Sequence, residues 1–162
     1  MTRFVICVLV FSSFGTSFGA ASLNGTVTWA DCSTTPGYAT ESLKIDPADI
    51  KKGETTTVTG VAMFPKAVAS GTWTLGLTWH GVPLPVTGGA GSLCAASDIV
   101  LPLGGGTLHV SAFDCPLKAG NVSIPKLIVD LTAGAPPGDY VATLQTAANG
   151  EDAICAKIIF TL

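Results

Sequence analysis

The side chains that could do chemistry in this sequence are few and widely spaced. His80 and His109 are its two histidines, and neither stands in an H-x-x-x-H spacing that would hold a metal; the cysteines form no C-x-x-C pair. No G-x-S-x-G turn occurs to present a nucleophilic serine. Asp46 and Asp49 are near neighbours, but they bracket Pro47, where carboxylates cap or solvate a turn; acids brought together only by folding stay open at this point. His80 closes a strand-like run and reads first as a strand-end polar residue, with contact to a ligand head group as the less favoured role. The glycine-rich pieces Gly88–Gly91 and Gly104–Gly106 lack the Lys-Ser/Thr ending of a phosphate loop and read as long loops. No catalytic residue, metal site or cofactor is expected, and the chain does not read as an enzyme.

Cysteine is the remaining reactive type, present as Cys7, Cys32, Cys94, Cys115 and Cys155. Cys7 lies in a leader. Arg3 precedes the apolar run Phe4–Phe11, a softer stretch follows to Phe18, and Gly19-Ala20-Ala21 supplies small residues. That order predicts a secretory signal peptide over residues 1–21, cleaved after Gly19 or Ala21. The apolar run falls short of the ~20 residues that span a bilayer. Arg3 is the leader's one charge, so its loss takes the net charge from −3 to −4. The four cysteines left in a secreted chain read as two disulfides, with three pairings open. Asn24-Gly25-Thr26 and Asn121-Val122-Ser123 are glycosylation sequons, expected in exposed loops. The destination expected is the exterior or the lysosomal or endosomal lumen, reached by the secretory pathway.

The elements that must position these residues follow from hydrophobic period. One domain, residues 22–162, suits the 162-residue length, and 8 basic against 11 acidic side chains argue against a nucleic-acid partner. In Thr72–Trp79, the residues Trp73, Leu75, Leu77 and Trp79 fall on one side and Thr72, Thr74, Gly76 and Thr78 on the other, as in a half-buried strand. Thr56–Phe64, Lys126–Leu131, Tyr140–Thr146 and Ile154–Thr161 read the same way. Thr26–Ala30, Ser42–Ile45 and Leu108–Phe113 are weaker candidates. The last strand is apolar on both faces, so an interior place in its sheet is expected. Pro36-Gly37, Lys52-Gly53, Pro136-Pro137-Gly138 and Asn149-Gly150 supply turns, the last a hairpin connection that Glu151-Asp152 could lengthen. Seven or eight short strands without a sustained helical period point to an all-β, immunoglobulin-like sandwich of two antiparallel sheets.

A resemblance adds to this reading. Cys115-Pro116-Leu117-Lys118-Ala119-Gly120, then Ile124-Pro125, Gly138-Asp139-Tyr140 and Cys155 follow the order C-P-x-K-x-G, I-P, G-x-Y, C. Trp29-Ala30-Asp31-Cys32 opens the set with an aromatic shortly before the first cysteine. The ordered set resembles the ML family of secreted lipid-recognition domains, which includes sterol carriers, glycolipid activators and phospholipid transfer proteins. Cys94 with Ile99-Val100-Leu101-Pro102 is most similar to the glycolipid activators.

The resemblance implies a Cys32–Cys155 disulfide and an internal Cys94–Cys115 pair; chain entropy gives these about 4–5 and about 3 kcal/mol respectively. It also implies sheets parted like a cup around an apolar cavity that holds one sterol, phospholipid or glycolipid, with transient membrane contact. The inward set would be Phe64, Trp73, Leu75, Leu77, Trp79, Leu84, Leu127, Val129, Leu131, Tyr140, Leu144, Ile158 and Phe160. Val82, Ile99, Leu101 and Phe113 would form the rim. Taken singly, each of these residues is as well suited to a filled core. A lipid carrier, an interaction module with a solid interior and a glycolipid-presenting activator of a glycosidase are therefore all consistent with the sequence.

Overall fold

The computed structural model describes residues 27–162. The predicted leader and the Asn24 sequon lie outside the described residues. Eleven strands and one short 3-10 turn, Pro102–Gly104, build two sheets that are antiparallel throughout. The first holds β1 (Thr28–Asp31), β4 (Gly71–Trp79), β5 (Val82–Leu84), β6 (Ala90–Ser92), β10 (Asp139–Ala148) and β11 (Glu151–Thr161). Its order is β1-β11-β10-β4-β5, with β6 beside β5 on the free edge of β4. The second holds β2 (Ala39–Asp46), β3 (Thr55–Phe64), β7 (Ser97–Leu101), β8 (Gly106–Val110) and β9 (Gly120–Leu131), in the order β2-β3-β9-β8-β7. β11 packs on β2 and β3, and a Thr87–Val100 bridge ties the chain after β5 to β7, so the sheets stack face to face as the expected sandwich.

The strands form where side chains alternate. On β4, Trp73 and Leu77 are buried while Thr72, Thr74 and Gly76 are exposed. β11 runs between β1 and β10, the interior position expected of it. Asn149 and Gly150 both take positive φ, 52° and 84°, and Ala148 pairs directly with Glu151. The connection is therefore a two-residue primed turn, and Glu151-Asp152 belong to the strand rather than lengthening the loop.

Three strands have no counterpart among the expected ones, and a fourth is longer than expected. β5, β6 and β7 are not separable from loop in the sequence because runs of three to five residues, with Pro83 in β5 and Gly91 in β6, carry too little alternation. The glycine-rich pieces are thus partly strand: Gly91 lies in β6, where any side chain would run into the Trp73 ring, and Gly106 opens β8. β9 starts six residues before Lys126, so Asn121 is an exposed residue of a strand, opposite Met63, and not of a loop.

Cys32–Cys155 and Cys94–Cys115 are the two disulfides, with Cα atoms 4.8 and 5.7 Å apart. Both lie toward the end of the sandwich where β10 turns into β11. A compact cluster fills that end: Tyr38, Ala62, Phe64, Val68, Leu117, Ala148, Ala153 and Ile154. Phe64 meets Tyr38 and Phe113 edge-on at 6.0 and 6.3 Å. A second cluster, with Trp73, Leu93, Ile99, Leu108 and Leu131, occupies the β4, β7 and β8 side.

Candidate functional site

Between the sheets the interior is hollow. The inward residues of β10 run Tyr140, Ala142, Leu144, Thr146, and those of β11 run Ile154, Ala156, Ile158, Phe160. Ala142 pairs with Ile158 and with Leu77, and Leu144 with Ala156 and Leu75. Ala142 and Ala156 therefore sit among Leu75, Leu77, Leu144 and Ile158, and the opposite sheet does not reach in to replace the missing volume.

The result is two adjoining lobes. The larger, of about 110 Å³, is walled by Trp73, Leu75, Leu144, Ile154 and Ile158 on one side and by Leu43, Val58, Leu108, Val110 and Leu127 on the other. The smaller, of about 80 Å³, is walled by Leu77, Leu101, Val129, Leu131, Tyr140 and Phe160 and reaches Ala135 and Leu162. Leu75, Leu108 and Ala142 border both.

The larger lobe reaches the surface where β8 ends. Beyond Val110 the chain leaves its sheet, and the Phe113 amide donates to Leu93 O at 2.8 Å, across to the other sheet. The pairing of β3 with β9 is also interrupted by a bulge, because Val58 faces Leu127 but Gly60 faces Ile124, leaving Pro125 and Lys126 opposite one residue. Ser111, Phe113, Ile124 and Pro125 line this mouth, and Ser111 is exposed.

Few polar side chains line the cavity, and the buried ones, Thr40, Thr146 and Tyr140, are hydrogen-bonded. Thr40 Oγ1 donates to Cys155 O at 3.2 Å. Thr146 Oγ1 accepts from the Ile154 amide at 2.9 Å and donates to Ile154 O at 3.3 Å. Tyr140, stacked on Phe160 at 5.3 Å, donates its hydroxyl to Pro136 O at 2.8 Å, and burial raises its pKa above the ordinary tyrosine value. Such a site offers apolar surface and a polar edge, and among the described residues its lining holds no nucleophile beside a base.

Twelve of the seventeen expected lining residues border the hollow: Trp73, Leu75, Leu77, Leu101, Phe113, Leu127, Val129, Leu131, Tyr140, Leu144, Ile158 and Phe160. The other five are placed elsewhere. Phe64 and Ile99 are fully buried in packed clusters. Trp79 lies at the sandwich end, its Nε1 donating to Pro137 O at 3.2 Å and its ring 4.8 Å from that of His80. Val82 is 60% exposed and Leu84 half-buried, because β5 is an edge strand three residues long. Sequence reasoning missed Val58, Leu108, Val110, Ala142 and Ala156. The alternation of β3, β8, β10 and β11 contains these residues, but nothing in it shows which alanines face a gap.

Among the described residues, the acidic and basic groups lie outside the cavity. Asp49 pairs with Lys51 at 3.2 Å, and Asp46 lies 3.9 Å from Lys44, all at the surface. His109 stands on the outer face of its sheet between Asp98, 2.7 Å from Nδ1, and Asp130, 3.1 Å from Nε2; Thr55 Oγ1 donates to Asp130 as well. Asp98 chiefly, with help from Asp130, raises the His109 pKa against the opposing effect of partial burial. Among the described residues, no three His, Cys, Asp or Glu side chains are arranged to hold a metal ion.

Two stacked sheets parted around an apolar, sparsely polar hollow define a cavity-bearing β-sandwich. The ML domain model matches residues 26–162, and the chain belongs to that family. Among solved structures it is similar to a Niemann-Pick type C2 protein from Japanese carpenter ant, at 16% identity and TM-score 0.56, over 83% of this chain and 98% of that one. It is also similar to chicken MD-1 complexed with lipid IVa, at 13% identity and TM-score 0.55, over 87% of this chain and 94% of that one. No curated protein matches the sequence.

Proposed function

We propose that this protein binds one lipid molecule between its sheets and transfers it between membranes, working outside the cell or in a lysosomal or endosomal lumen. The observation that carries the reading is the apolar hollow, whose lining threonines and tyrosine are already hydrogen-bonded to main chain. Hydrocarbon placed there gives up water at about 0.8 kcal/mol per methylene, so no charged partner is needed for affinity. Membership of the ML family and the likeness of fold to a protein solved with lipid IVa support it. The leader read from the sequence supports the compartment, and transient contact with a bilayer would supply the cargo. No group in the cavity is arranged for bond-breaking chemistry, which favours a carrier over an enzyme. The hollow also weighs against an interaction module with a solid interior.

Native mass spectrometry of the secreted mature protein, followed by organic extraction, tests the reading. One lipid per chain is the expected result. A protein that emerges empty and takes up no sterol, phospholipid, glycolipid or single-chain lipid would overturn it. Leu77→Arg places a guanidinium in the wall of the smaller lobe and should abolish uptake; a folded variant with normal uptake removes Leu77 from the site.

A further inference from the structure

Resting on the lipid-binding reading, we propose that the cavity selects a single unbranched hydrocarbon chain lying through both lobes, and that Leu75, Leu108 and Ala142 enforce the choice. Capacity is the first ground. The lobes are small, about 110 and 80 Å³, and adjoin at shared lining residues, so one chain can use both where two chains must compete for the same room.

Shape is the second. Leu75 and Leu108, one from each sheet, and Ala142 of β10 line both lobes, so a ligand running through both passes between them, at the waist of the proposal. A flexible chain passes such a waist in cross-section with small rotamer shifts. A fused-ring sterol is rigid and wider, so it requires the packed sheets to part, at the cost of their interior contacts.

Polarity then orients the chain. Thr40, Thr146 and Tyr140 have committed their hydroxyls to main-chain groups. Ser111 is the lining side chain that is both exposed and without a side-chain hydrogen bond among the described residues, so the polar end sits at the larger lobe's mouth and the chain terminus in the smaller lobe.

The test offers the delipidated mature protein hexadecanoic acid, a single-chain lysophosphatidylcholine, cholesterol and a two-chain phosphatidylcholine, and reads occupancy by native mass spectrometry. Both single-chain lipids should bind one to one, at least about tenfold above the other two. Cholesterol or the two-chain lipid matching them overturns the inference and leaves the lipid-binding reading standing. Uptake of none of the four overturns both.

Ala142→Leu should close the waist and shorten the longest accepted fatty acid from hexadecanoate to about octanoate. Leu75→Ala should raise cholesterol occupancy about tenfold. Intact disulfides and near-UV dichroism check that each variant folds, with Ala142→Val as the milder substitute if Ala142→Leu does not. An unchanged chain-length limit in a folded position-142 variant refutes the waist.

Discussion

Two stretches of the same interior, separated by a few residues along β10 and β11, are built oppositely. Around Phe64, large aromatics are set against Ala62, Ala148 and Ala153, so each small residue makes room for a ring and the space is filled. Around Leu75, Ala142 and Ala156 also alternate with large residues, but no ring arrives from the other sheet. The difference lies in the partner across the gap rather than in the strand itself. Hydrophobic alternation specifies which side chains point inward; complementarity of size between sheets decides whether they touch.

That contrast can be broken by truncation. Phe64→Ala should cost about 3–5 kcal/mol in denaturant unfolding, since the packed end cannot collapse around the void. Leu144→Ala, on a wall that already faces empty space, should cost about 2 kcal/mol, the low end for such changes. Equal losses would mean the two regions pack alike.

Filling sharpens it, because the sign should reverse. Ala148→Leu overpacks the closed end and should destabilise by about 1–3 kcal/mol. Ala142→Leu occupies the hollow and should stabilise by about 0.5–2 kcal/mol while reducing lipid uptake. Two destabilised variants would argue that the hollow is not available to side chains.

A smaller effect comes from Thr56, fully buried with a hydroxyl that finds no hydrogen-bond partner among the described residues. Thr56→Val removes that unmet group at nearly constant volume and should raise stability by about 1 kcal/mol, read from the unfolding midpoint.

The smallest concerns the outer face. The raised pKa of His109 means its protonated form is favoured by folding. This contribution is full below the ordinary histidine value of 6.5 and is lost as pH rises through the higher folded value. The Tm difference between the parent protein and His109→Asn should be largest near pH 5 to 6 and should shrink as the pH rises past 6.5. A difference that grows with pH would contradict the pairing with Asp98 and Asp130.

The fold was legible wherever alternation ran long enough, as in β4, and wherever turn chemistry was strong, as at Asn149-Gly150. Both disulfide pairings followed from the family resemblance and not from spacing. Edge strands of three to five residues were not legible, because so short a run cannot establish a period. The site was legible as an inward set but not as a cavity: Phe64 and Ile99 carry the same signal as Leu75 and Leu127, although the first pair is packed and the second borders the hollow. The His109 clamp was invisible because it depends on the register of β7, β8 and β9, which brings together residues 11 and 21 positions apart.

Covalent cross-links gather at the Phe64 end, while the end around Leu162 is held among the described residues by strand pairing and by the reciprocal amide bonds of Gly138 and Leu162, 3.0 Å each. A body fastened this way is a book bound along one margin. Thermal fluctuation should fan the loose pages first, so amide hydrogen exchange is expected to be faster on the Leu162 side than at the Phe64 end. The two disulfides hold the pages in order along that margin.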